Sequence, residues 1–337
     1  MKKYVWFMGI DVSKGKLDIA LMKGAEKCVQ ATIENNVAAI KDFLKETRES
    51  LPKFSMVSCL VCMEHTGIYN NHLLRVSEQQ KWNLCLEAAV QIKQSGGLQR
   101  GKNDQIDALR IAQYAYKNRD TLKLWQPPRK VITRLKKLSS MRERLIGAKK
   151  QLTRTLKEDA PFQTREETKS LADCCESTII ALKEDIEKTD KAIAEVIKGD
   201  PELKRLFAIM ESIPCIGKVT AVTMLVTTNE FKDIKDPRKF ACYAGVAPFE
   251  HTSGSSVRGR TRVSKKANLR VKSLFHLVAV TAIGHNDEIK LFYTKKVKAG
   301  KHPMNVINAI RNKMIHRIFA CVRDGRMFEN NYSPKFG

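Results

Sequence analysis

Short apolar runs separated by polar turns fill the N-terminal third of the chain. Residues 5–12 and 17–22 are strand-like and are joined by a turn at Lys14-Gly15; residues 28–33 supply a third strand. The order predicts an antiparallel meander. Ile40, Phe43 and Leu44 then share one face of a helix over 37–48. A buried-looking strand over 56–63 follows, then a helix over 68–79, a strand over 82–87 and a helix over 103–118. The last has Ile106, Leu109, Ile111 and Ala112 for its core face. Residues 91–102 carry Gly96, Gly97 and Gly101 and read as a loop.

Pro127-Pro128 breaks this pattern. From 129 to about 159 the periodicity is helical, with Leu138, Leu145 and Leu152 seven residues apart. A second long helix over 166–198 places Ile179, Leu182, Ile186, Thr189, Ile193 and Val196 at alternating spacings of three and four. That spacing predicts a coiled-coil seam, within a hairpin or between subunits; an ordinary helical core face is the plainer reading. The region from Pro201 reads as mainly helical. Within it, Ser212-Ile213-Pro214-Cys215-Ile216-Gly217 precedes a helical run over 218–226, like half of a helix-hairpin-helix whose turn offers amides to a phosphate. The usual turn has glycine where this chain has Cys215, so a positive φ there would be strained; a purely structural hairpin is the alternative. Further on, His251-Thr252-Ser253-Gly254-Ser255-Ser256 is too rich in serine and glycine for a stable helix, and residues 269–322 read as helices packing the domain.

Charge sharpens this picture. The 337 residues hold 61 Lys and Arg against 36 Asp and Glu, a formal net charge of +25. Such a field favours a polyanion, and nucleic acid is the usual one; a solubility device or a membrane-surface patch is the alternative. The positive charge is clustered. Arg134, Lys137, Arg144 and Lys150 lie along the helix after the proline break, and Arg258, Arg260, Arg262, Lys265 and Lys266 follow the serine cluster, with no acidic residue between Glu250 and Asp287. The first group reads as a nucleic-acid clamp or a solvated helix face. The second reads as an anion held against a reactive serine or as a basic loop that touches phosphates.

Nine cysteines make an odd count with no disulfide-like framework. The one C-x-x-C, Cys59 and Cys62, sits inside an apolar strand and lacks a second pair to complete a zinc site. All nine are expected to be reduced, in a cytoplasm. No run is long enough to span a bilayer.

The candidate chemistry lies in four acids. Asp11 ends the apolar run over 4–10, Glu64 ends the run over 56–63, and Asp104 and Asp107 sit three apart at the start of a helix. Carboxylates at strand ends and on a facing helix can converge, and converging carboxylates call for a hard cation. Two such ions serve phosphoryl transfer. Three strands, then helix, strand, helix, strand, helix is also the element order of a ribonuclease H-like domain.

These residues resemble the IS110/IS1111, or DEDD, family of transposases. The resemblance rests on Gly9-Ile10-Asp11-Val12-Ser13-Lys14, on Glu64-His65-Thr66-Gly67-Ile68-Tyr69, and on Lys102-Asn103-Asp104-Gln105-Ile106-Asp107-Ala108. Its distal pieces are Ile213-Pro214-Cys215-Ile216-Gly217 and Ala244-Gly245-Val246-Ala247-Pro248 with Ser253-Gly254. It implies an α/β plus α architecture. A RuvC-like ribonuclease H domain would span 1–125 and a coiled coil 126–200. A mainly helical transposase domain, with its helix-hairpin-helix-like element, would span 201–337. It also implies a metal site of Asp11, Glu64, Asp104 and Asp107 holding Mg2+ or Mn2+, and a nucleophilic Ser253. The implied partners are donor and target duplex DNA, a noncoding bridge RNA, and further copies of the chain in a dimer that pairs into a tetramer. Two other readings compete: a Holliday-junction endonuclease or DNA invertase without RNA guidance, and a nonenzymatic nucleic-acid-binding relative of a transposase.

Overall fold

The computed structural model describes the backbone of residues 4–95, 104–253, 257–263 and 267–330; side chains are described outside 248–263. The chain divides into two compact units, Met1–Pro127 and Pro128–Gly337.

The first unit is built on a mixed five-stranded sheet in the order β3-β2-β1-β4-β5. β1 (Trp6–Val12), β2 (Lys16–Lys23) and β3 (Glu26–Glu34) form the antiparallel meander that the sequence predicts, while β4 (Cys59–Glu64) and β5 (Asn83–Glu87) run parallel to β1. β1 is central and covered on both faces, so its apolar residues run without a polar alternate. Trp6, Met8 and Ile10 pack on one face with Ile40, Phe43 and Leu44 of α1 (Val37–Ser50) and Leu73 and Val76 of α2 (Asn71–Gln80). Phe7 packs on the other with Ile111, Ala112 and Ala115 of α4 (Asp104–Asn118). Asn36 starts α1 by accepting from the Ala39 amide at 2.8 Å. Residues 91–95, expected as loop, belong instead to a short α3 (Ala89–Ser95), anchored by the buried Ile92. This mixed sheet and element order are compatible with a ribonuclease H-like α/β fold.

The second unit opens with two long helices, α5 (Lys130–Asp159) and α6 (Arg165–Lys198). They pair, and Arg142 is bonded to Asp190 at 2.5 Å. Thr164 and Glu167 form a capping box that starts α6. Only the α5 start and the α6 end are sealed, by Ile132, Leu135, Ile193, Val196 and Ile197, whereas Leu138, Leu145 and Leu152 stay half-buried. Arg129, just past the proline break, is bonded to Asp200 at 2.8 Å and to the buried carboxylate of Glu230, which also accepts from Lys232 at 2.8 Å. Glu230 lies between Asn229 and Phe231 in three consecutive left-handed residues, with φ of 49°, 58° and 61°.

The rest of the unit is α7 (Pro201–Glu211), α8 (Lys218–Thr228), α9 (Pro237–Tyr243), α10 (Leu269–His285), α11 (Asp287–Lys298) and α12 (Pro303–Asp324). Phe240, Phe275 and Phe319 meet at its centre, with Phe240 ring centroids 5.9 and 5.5 Å from the other two. The serine-bearing stretch forms an antiparallel hairpin of β6 (Pro248–Ser253) and β7 (Val257–Val263). Among the described residues no helix is long and apolar enough to cross a membrane. All nine cysteines are free thiols, with Cys59, Cys62, Cys85 and Cys321 buried.

Candidate functional site

Asp11 lies near the carboxyl end of central β1, opposite Asp18 of β2. The parallel register pairs Ile10 with Met63, so Glu64, the next residue of β4, ends its strand on the same edge as Asp11. Asp104 and Asp107 reach the same pocket because α4 presses directly on β1 at Gly9. A Cβ at Gly9 would stand 2.2 Å from both the Ala108 carbonyl oxygen and the Ala112 amide nitrogen. The small Ala108, Ala112 and Ala115 complete this close contact. Asp104 and Asp107, one turn apart on α4, share its first-turn face, where the helix dipole favours negative charge.

Electrostatics record the convergence. Burial, then Glu64, Asp104, Asp107 and Asp18 in decreasing order, push the Asp11 carboxyl up to about 6. Burial also raises Glu64; Lys93 opposes that rise and Asp107 adds to it. Two cations already stand among these acids. Lys16 Nζ donates to Asp104 at 2.8 Å and lies 3.3 Å from Asp18, and Arg110 donates to Asp107 at 2.7 Å. The Ser13 hydroxyl closes the β1–β2 turn on the Lys16 carbonyl at 2.9 Å and so fixes the lysine's position.

The donor chemistry fits a hard divalent cation: oxygen ligands only, in a pocket short of compensating charge. Yet among the described residues no three acidic, histidine or cysteine side chains stand close enough to share one ion. The acids are gathered but not closed into a cage, since Lys16 and Arg110 hold the two on α4.

Two acids were missed by sequence reasoning. Asp18 is 2% exposed and accepts from the Thr32 hydroxyl at 2.5 Å. Its signal was a lone carboxylate inside the apolar run of β2. Glu87 ends β5 beside Glu64 and is likewise raised by burial. Its signal was a third strand run ending in an acid, as the runs before Asp11 and Glu64 do.

In the second unit, Ser253 is the last residue of β6, paired with Val257, and Arg258, Arg260 and Arg262 occupy alternate positions of β7. Lys265 and Lys266 lie outside the described residues. The hairpin's base is fixed by described groups. The Asn268 amide donates to the Tyr243 carbonyl and its side chain to the Tyr243 hydroxyl, each at 2.8 Å, and Asn308 donates to the Val246 carbonyl at 2.7 Å. Arg134, Lys137, Arg144 and Lys150 are exposed on α5 with no carboxylate partner among the described residues. At the turn before α8, Cys215 takes φ 70° despite its side chain. Gly217 then starts α8 without a side-chain cap, which leaves first-turn amides uncapped.

Comparison with known proteins now bears on this geometry. Residues 207–294 match a family model described as the transposase IS116/IS110/IS902 family, and residues 8–158 match a second model, for the DEDD transposase of IS110. The chain belongs to the IS110 family of transposases. The second match contains all four acids, and the first contains Ser253. This transposase is 25% identical over 328 residues to a pilin gene-inverting protein of Moraxella bovis, covering 96% of the chain and 97% of that protein. A protein of the same description from Moraxella lacunata is 26% identical over 329 residues. An insertion element IS116 protein of Streptomyces clavuligerus is 27% identical over 150 residues, covering 44% of the chain and 36% of that protein. Membership in this family implies DNA recombinase activity and DNA substrates.

Proposed function

We propose that this transposase cuts and rejoins donor and target DNA through a serine ester, using acids from a RuvC-like ribonuclease H domain and Ser253 from the helical C-terminal region. Asp11, Glu64, Asp104 and Asp107 hold Mg2+ in this reading, with Lys16 and Arg110 yielding their places on Asp104 and Asp107. The bound ions supply charge stabilisation at the scissile phosphate. Ser253 Oγ forms a bond to phosphorus, the bond from phosphorus to the 3′ oxygen breaks, and that oxygen leaves as a hydroxyl. The reverse attack, by a 3′ hydroxyl of another strand, breaks the Oγ–phosphorus bond and joins DNA without an external energy source. Each ester conserves the energy of the one it replaces.

The observation that supports this reading is the gathering of Glu64, Asp104 and Asp107 about a half-buried Asp11, whose carboxyl is pushed up to about 6 by burial first and by these acids and Asp18 after it, an arrangement that costs stability unless a cation relieves it. Exposed basic residues on α5 fit a role in holding nucleic-acid backbones, which positions but does not specify. Sequence choice then falls to a noncoding bridge RNA that pairs with both DNAs. The half-covered seam of α5 and α6 fits a coiled coil within an assembly of dimers. A second reading is DNA inversion without a guide; the names of the Moraxella relatives speak for inversion.

The decisive experiment incubates the protein with labelled DNA carrying the element ends, with and without the adjacent noncoding transcript. A denaturation-stable protein–DNA adduct is expected from the wild type and none from Ser253→Ala. Asp11→Asn is expected to abolish cutting while leaving nucleic-acid binding intact. An adduct that persists in Ser253→Ala removes the serine assignment, and recombination without the transcript decides for the second reading.

A further inference from the structure

Arg311 stands on the inner face of α12 and is 6% exposed. A guanidinium that far from water is ordinarily paired with a carboxylate, because a buried unpaired charge is costly. Among the described residues Arg311 has no such partner. One Nη contacts His276 Nδ1 at 2.6 Å, the other donates to Asn308 Oδ1 across a long 3.4 Å, and Nε has no partner at all. Both partners are neutral acceptors in this arrangement. Among the described residues, Glu288, the acid bonded to the following turns of α12, is already engaged by Lys313 and Arg317 at 2.5 Å each. Burial accordingly lowers the Arg311 pKa.

The cluster has a definite address. Asn308, which meets Arg311 through its oxygen, donates through its nitrogen to the Val246 carbonyl, two residues before the strand that ends in Ser253. His276 and Asn308 are half-buried, so the cluster's edge reaches the surface. A cation held without a counter-anion among the described residues, with donor capacity unused, at the root of this hairpin, is poised for an anion that arrives with the substrate.

We propose that Arg311, with His276 and Asn308, seats one backbone phosphodiester of the nucleic acid at the base of the serine hairpin. Seating it requires the side chain to turn outward past half-buried His276 and Asn308, so that the phosphodiester oxygens accept from Nε and from the Nη that now reaches Asn308, in the forked geometry that guanidinium offers and ammonium does not. The inference rests on the proposed reading that this unit handles nucleic acid.

The test uses full-length Arg311→Met and Arg311→Lys, thermal unfolding, and binding to a labelled DNA duplex and separately to the bridge transcript, each over a range of salt. Arg311→Met is expected to melt at or above the wild-type temperature, because a buried unpaired charge is gone. Its DNA-binding slope against salt is expected to flatten by about 0.9, one phosphate's share. Arg311→Lys is expected to keep most of the slope and lose affinity roughly tenfold as the fork is lost. A change confined to the transcript assigns the seat to an RNA phosphodiester instead. Unchanged slopes with both nucleic acids overturn the proposal, as does failure of both variants to fold, which marks a structural role. A persistent adduct in Ser253→Ala would sink the serine reading and leave these slopes interpretable, so the two failures are distinguishable.

Discussion

Replacing Gly9 with alanine tests how the acidic pocket is assembled. The added Cβ would lie 2.2 Å from the Ala108 oxygen and 2.2 Å from the Ala112 nitrogen, and both are helix backbone atoms that no rotamer change can move. Ordinary contact at such atoms needs about 3.4 Å, so α4 must retreat from β1 by on the order of 1 Å. Overpacking of this kind costs about 1–3 kcal/mol, and here the obstacle is a whole helix, so the upper end applies. For a unit of this size that lowers the melting temperature by about 4 °C per kcal/mol, or roughly 10 °C in all. The retreat carries Asp104 and Asp107 away from Asp11, since both ride on the first turn of α4. A misplacement of about 1 Å in a reacting constellation costs roughly a hundredfold in rate. Thermal unfolding monitored by circular dichroism, beside a strand-cutting assay at saturating Mg2+, measures both effects. Wild-type melting together with wild-type cutting in Gly9→Ala would refute the claim that this contact sets the pocket.

Other expectations follow from the same structure. Asp11 has a folded-state pKa raised from 3.8 to about 6, so it binds more protons folded than unfolded, and the stability it contributes is present below about 4 and lost as pH rises through 6. Because Asp11 is only half-buried, the full conversion of that shift is discounted to on the order of 1 kcal/mol. Urea unfolding in EDTA is expected to show this loss in the wild type and not in Asp11→Asn, and a flat wild-type profile would contradict it. Cys215→Gly relieves a left-handed φ of 70° at the turn before α8. The relief outweighs glycine's entropic cost by about 0.5 kcal/mol, so a lowered melting temperature would count against the strain argument. Arg129→Met leaves the buried Glu230 with Lys232 alone and is expected to cost about 2 kcal/mol in urea unfolding, after allowance for the exposure of Arg129. Unchanged stability would show that the pair is neutral.

The sheet was legible because burial on both faces leaves nothing polar to interrupt the apolar runs of β1 and β4. Asp104 and Asp107 were legible from their spacing of three. Asp18 was not, since a single carboxylate in the middle of β2 carries no end-of-strand signal; only the fold shows the Thr32 hydroxyl that makes its burial tolerable. Serine and glycine hid the β6–β7 hairpin, whose ends are closed by Tyr243 and Asn268, residues 25 apart in sequence. The glycines at 96 and 97 similarly drew attention from the short α3 before them. Cys215 was read as an obstacle to the turn, and the turn forms regardless, so the packing around Ile213 and Ile216, both buried, outweighs the local preference. Arg311 resembled any charged residue of an amphipathic helix, and its burial follows only from how α10 and α12 meet.

The charges of the pocket divide in a way that bears on how it works. Each acid on α4 has a cation of its own, Lys16 for Asp104 and Arg110 for Asp107, while the acid at the end of β1 has none recorded and takes the largest displacement. Neutralisation by side chains thus favours the acids on α4, although Lys16 also lies 3.3 Å from Asp18 and Lys93 lowers Glu64. Lys16 reaches Asp104 from the β1–β2 turn, so the same ammonium that relieves the helix acid also ties α4 to the sheet. The pocket can therefore stay folded without a metal ion, at the cost of a protonated Asp11 below about pH 6. On the proposed reading, turning all four carboxylates toward one cation would require that Lys16 and Arg110 give way. On that reading, the protein's own lysine and arginine would compete with a metal ion for these acids, through ordinary charge at short range.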